Sequence, residues 1–195
     1  MTDPLPPIAA TDEDKQLMTR TLNLLLADEF VVYAATRECH WNLTDAEFAR
    51  RSMLFEQQYR QLEDWTRQLA VRSCQIGGWS NGGWSELIKD SRLPPLRHDL
   101  PAGEMLAGLH ALHEAMAKQL QTDATTGAVT RRYAGLGKFL TELRQTHEKF
   151  AWQLRVLEQP LRERPGPETA DFPRTGELQA TNGHPAPAKS DWTQL

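Results

Sequence analysis

Glu29-Phe-Val-Val-Tyr-Ala-Ala-Thr-Arg-Glu-Cys-His-Trp-Asn-Leu-Thr-Asp-Ala-Glu-Phe48 decides the fold: one long helix ends in it, the chain breaks tightly, and a second helix begins. Thr44-Asp-Ala-Glu47 is a capping box, in which Thr44 takes the amide three residues on and Glu47 reaches back to the Thr44 amide. Upstream, Thr11 is placed to cap a helix whose apolar positions Met18, Leu22, Leu25, Leu26, Phe30, Tyr33 and Ala34 recur at steps of three and four. Downstream, Phe48, Phe55, Tyr59, Leu62, Leu69 and Ile76 form a second stripe that stops at Gly77-Gly78. Two long helices separated by so short a break pack antiparallel.

Residues 77–101 are rich in Gly, Trp and Pro, with Ser85-Glu-Leu-Ile-Lys-Asp90 reading as a short helix inside a long connection. Trp79 and Trp84 are expected to pin this crossover to a core edge or a subunit contact. Pro101 then opens a third long helix through Met105, Leu109, Leu112, Met116 and Leu120, ended by the polar stretch Thr122–Gly127. Leu136, Leu140, Leu143, His147, Phe150, Leu154 and Leu157 mark a fourth, closed by Pro160. No strand pattern competes. The expected fold is all-α, a four-helix bundle over residues 11–159 with one long crossover carrying a short helix. It is flanked by disordered tails, a Pro-rich one over 1–10 and a Pro/Gly-rich one over 160–195.

The chain holds 22 basic and 26 acidic residues, of which one and four lie in residues 1–16 and four and five in 160–195, so the bundle is balanced. No segment is polybasic, which argues against tail-mediated binding of nucleic acid or anionic lipid. Cys39 and Cys74 have neither zinc-site nor CxxC spacing and read as bland buried thiols in a reducing compartment. With no leader pattern and no apolar run of about 18 residues, the expected location is cytoplasmic and no membrane contact is expected.

Leu22-Asn-Leu-Leu-Leu-Ala-Asp-Glu-Phe30, His40-Trp-Asn-Leu-Thr44, Leu54-Phe-Glu-Gln-Gln-Tyr59, Gly77-Gly78 and His147-Glu-Lys-Phe-Ala-Trp-Gln-Leu-Arg155 resemble the DNA-binding proteins from starved cells, the Dps group of the ferritin-like superfamily. The resemblance covers about residues 17–158. It implies a homo-oligomeric hollow shell, a dodecamer, in which peroxide oxidises iron at sites shared by two-fold-related subunits. It also implies a role in iron homeostasis, DNA protection and stress response.

The ligand set that the resemblance implies is only partly present. His40 stands at the family's first-helix histidine and Glu56 at its acidic ligand, making these two the candidate metal residues. Ser52 stands where the family has a second histidine, and Arg67 and Val71 replace the two carboxylates of its Asp-x-x-Ala-Glu-Arg pattern. Fe(II) and Fe(III) need hard oxygen ligands with imidazole nitrogen, and one His with one Glu does not complete four to six positions. Iron is therefore expected to be weakly held or absent there. The bland reading of His40 is an imidazole beside Trp41, satisfied by backbone or a neighbouring subunit.

A bundle-centre di-iron site would need Glu-x-x-His on two helices, a spacing this chain lacks. His147 falls on the apolar stripe and reads as a satisfied core histidine; His110 and His113 are expected to face the shell interior. Where the family carries an acidic pore pattern, this chain reads Arg131-Arg-Tyr-Ala-Gly-Leu-Gly-Lys138, which opposes cation entry. DNA contact would fall to a surface patch such as Arg50, Arg51, Arg131 and Arg132 rather than to a tail.

Three functions compete: an iron-oxidising and iron-storing cage, through a rebuilt site or a co-assembled Dps-like partner subunit; a shell without the oxidase, acting structurally or on DNA; and another cofactor such as haem at His40 and Cys39. Adjacent helical residues diverge by about 100°, which disfavours the last. Whether the chain is an enzyme stays open at this point.

Overall fold

The structure is a computed structural model that describes residues 10–43, 48–126 and 133–158. Five helices follow one another, α1 (Asp12–Asn42), α2 (Phe48–Gln75), α3 (Trp84–Asp90), α4 (Ala102–Thr126) and α5 (Ala134–Glu158), and no strand occurs among the described residues. The Thr11 hydroxyl accepts from the Asp14 amide at 3.1 Å, and Asp12, Glu13 and Asp14 set negative charge on the positive end of the helix dipole. The Thr44–Glu47 capping box lies outside the described residues, as do Arg131, Arg132, both tails and the side chain of Arg50.

α1 packs on α2 and α4 on α5, with α1 also meeting α4 and α3. The core is built from Leu22, Leu25, Phe55, Leu62, Leu109, Met116, Leu140 and Leu154, each essentially free of solvent. α1 departs from its expected stripe in its second half. Val31, Val32, Ala35 and Cys39 are buried, whereas Phe30 and Tyr33 are half-buried and Ala34 is exposed. The helix is apolar on more than one side because it is covered from more than one side.

The crossover is fixed at both ends. Gly77 takes a positive φ of 87°, its amide donates to the Cys74 carbonyl, and the Gly78 amide returns to Ser73, both at 3.0 Å. A Cβ on Gly78 would stand 2.3 Å from Thr19 Oγ1, so glycine lets the chain pass close to α1. Trp84 lies edge-on to Phe30 at 5.0 Å, although both Trp79 and Trp84 remain largely exposed. At the far end Asp28, fully buried on α1, accepts from the Arg92 backbone amide at 2.6 Å, Arg92 Nε at 2.8 Å and Ser91 Oγ at 3.1 Å. The same guanidinium reaches both oxygens of Asp123 on α4 at 3.2 and 3.0 Å.

α4 also runs further than expected, through Thr122–Thr126 rather than ending at Thr122. The Thr122 and Thr125 hydroxyls donate to carbonyls four residues back, and Arg92 holds Asp123, so polar residues that favour a turn are absorbed into the helix. No described helix is long and apolar enough to cross a membrane.

Candidate metal centre

His40 sits in the last turn of α1 and Ser52 early in α2, and the antiparallel packing of the two helices brings them together. The His40 Nε2 and Ser52 Oγ are 3.0 Å apart, and the imidazole lies 5.5 Å from the Tyr59 ring. His40 Nδ1 is buried without a hydrogen-bond partner among the described residues. The twelve-residue spacing that defines the site in sequence is thus a direct contact in space, filled by a hydroxyl. Beside it, Arg37 lies over the Trp41 ring at 4.6 Å and donates to the Tyr33 hydroxyl at 2.8 Å.

Glu56 follows Ser52 by one helical turn, but its carboxylate is taken by Arg60 at 2.5 Å. Arg67 points its guanidinium to Asp64 at 2.5 Å, and this hydrogen bond holds the Asp64 carboxyl below its ordinary range. Val71 is 40% exposed. The position therefore offers one imidazole nitrogen and one carboxylate that already has a cationic partner. Among the described residues no group of three His, Cys, Asp or Glu side chains is arranged to hold a metal ion.

Two further clusters lie along α4 and α5. His110 is flanked by Glu114 at 3.3 Å and Glu158 at 3.2 Å, and with Glu114, Glu148, Trp152 and Arg155 it lines an open groove of about 250 Å³. His113 does not line a shell interior as expected: it is fully buried in the bundle, its Nδ1 3.0 Å from His147 Nδ1, while His147 Nε2 lies 2.8 Å from Glu29 Oε2 of α1. Helical periodicity places His113 beside Leu109, Leu112 and Met116 on the buried side, a signal that was available in the sequence. Glu29 gave none, since a fully buried carboxylate is recognisable only once its partner is known.

The two cysteines divide. Cys39 is buried, its thiol pushed up to about 12 by desolvation and by Glu38, whereas Cys74 is exposed rather than buried as expected.

A family model of the ferritin-like domain matches residues 19–162. The chain is 29% identical over 149 residues to a low temperature-induced protein of Nostoc sp., covering 76% of this chain and 83% of that one. It is 23% identical over 186 residues to DNA protection during starvation protein 2 of Deinococcus radiodurans, covering 93% and 71%. Among solved structures, DpsC from Streptomyces coelicolor superposes with a TM-score of 0.73 at 22% identity, over 80% of this chain and 91% of that one. The all-helical fold expected from the residues is the fold of the solved Dps structure, and the chain belongs to the ferritin-like family.

Proposed function

We propose that this chain is the subunit of a Dps-like homo-oligomeric cage, cytoplasmic and active in iron handling and DNA or stress protection, whose intersubunit iron-oxidising site has been dismantled. The contact between Ser52 and His40 carries this reading. A serine hydroxyl is a poor ligand for iron next to an imidazole, and it occupies the ring nitrogen that would face the metal. Arg67 and Val71 remove two carboxylates besides. Exchanging a carboxylate for Arg67 adds repulsion on the order of several kcal/mol for a dication a few ångström away, at an effective dielectric of about 20. The residues present do not fit iron as a substrate at this position.

A second reading keeps the oxidase through groups from a neighbouring subunit, its own or a co-assembled one. The buried, unpartnered Nδ1 of His40 favours it, because that nitrogen lacks a partner among the described residues of its own subunit.

The two readings separate in a variant that rebuilds the ligand set, Ser52→His with Arg67→Asp and Val71→Glu. Under the first, the variant oxidises Fe(II) with peroxide at least tenfold faster than the parent, read as ferric absorbance. A parent protein that already oxidises iron at the variant's rate would sink the first reading in favour of the second.

A further inference from the structure

His110 stands half-buried on α4 with a carboxylate oxygen beside each ring nitrogen. Glu114 Oε1 is 3.3 Å from Nε2, and Oε1 of Glu158, the last residue of α5, is 3.2 Å from Nδ1. A neutral imidazole carries one N–H, so it can donate to only one of the two. The other nitrogen then turns a lone pair toward a carboxylate, and two acceptors so close need a cation between them. A second proton on the ring meets that need, and so does a metal ion.

Three observations point to the metal ion. Glu158 Oε1 is buried and has no hydrogen-bond partner, although Nδ1 is near. A cation on Nε2 fixes the ring proton on Nδ1 and gives this oxygen its donor, as carboxylate–histidine pairs do behind metal ions. Glu114 lines the open groove and Glu158 does not, so Nε2 is the nitrogen that faces the opening, where Ala117 and Ala151 leave room. Last, two ligands each about 2.0–2.2 Å from one ion stand about 3.0–3.4 Å apart at right to tetrahedral angles, which the 3.3 Å spacing of His110 and Glu114 meets. Residues four apart on a helix share one face, so α4 presents both together.

We propose that His110 and Glu114 bind a divalent transition-metal cation in the groove between α4 and α5, with Glu158 behind the ring. Glu148 lines the same groove but is engaged by Arg144, so the protein supplies two ligands and water completes the shell. One imidazole with one carboxylate suits Zn2+ or Co2+ rather than the all-oxygen shells of Ca2+ and Mg2+. The site shares no residue with the His40 position and does not rest on the function proposed above.

The test is titration of the full chain with Co2+ alone, its visible absorption recorded, followed by displacement with Zn2+. We expect a saturable site that weakens at least tenfold in His110→Gln and in Glu114→Gln and about tenfold in Glu158→Gln. His98→Gln and His40→Gln leave it unchanged. In the unmutated chain, bound Co2+ shifts the imidazole resonances of His110, a readout that needs no variant to fold. Titration without saturation overturns the proposal, as does a saturable site that folded H110Q retains. A His110 ring that keeps protons on both nitrogens in excess Zn2+ overturns it too and assigns the contacts to a proton. Binding lost in H40Q instead counts against both this site and the reading of His40, whereas failure at His110 alone leaves that reading standing.

Discussion

His113 shows what a single buried ring does to the stability of the whole bundle. Its value lies below 6.5 in the folded protein because burial, then His147 and His110, disfavour the charged form. The unfolded chain therefore binds the extra proton first, and stability that is full above pH 6.5 is lost as pH falls below it. We expect a loss of about 1 kcal/mol per pH unit through that window in urea titrations, and a flatter profile for His113→Phe. The cysteines give a second prediction at this scale. Cys39, buried and with its thiol near 12, stays unreactive, so iodoacetamide at pH 8 labels one thiol per native chain, at Cys74, and two after unfolding. His40 and Glu56 stood out only through the resemblance to the Dps group, and in the structure His40 meets Ser52 where α1 and α2 pair. The engagement of Glu56 by Arg60 was not legible in advance, since a charge four residues away reads equally as a solvated neighbour.

Among the elements, the helices announced themselves through period and caps, down to the Thr11 cap and the Gly77-Gly78 stop. What the sequence concealed was how the crossover is held. Arg92 links α1 to α4 through Asp28 and Asp123, residues 64 and 31 positions away, and no local pattern encodes such a partnership. The same link explains why α4 continues through a stretch whose composition favours a turn. Arg92→Met would leave the carboxylate of Asp28 buried without its counter-ion. We expect it to lower stability by about 3–5 kcal/mol, against a small effect for the exposed Arg97→Met, in parallel chemical denaturation.

For the whole molecule, two pairs of helices and one pinned crossover make a fold that persists without the chemistry often attached to it. The buried polar groups of the bundle, Asp28 and the Glu29–His147–His113 series, involve neither His40 nor the α2 positions Ser52, Arg67 and Val71, so the proposed loss of metal ligands on α2 would leave those core interactions intact. That separation is what would let the proposed dismantling of the iron site leave the bundle whole. The most direct test is anaerobic Fe(II) calorimetry on the full chain, sized by light scattering, followed by peroxide with ferric absorbance recorded, with His40→Ala alongside. The account predicts an assembled protein with no Fe(II) site that His40→Ala removes, and ferric growth no faster than in buffer. Tight Fe(II) binding abolished by His40→Ala, followed by rapid ferric growth, would contradict it.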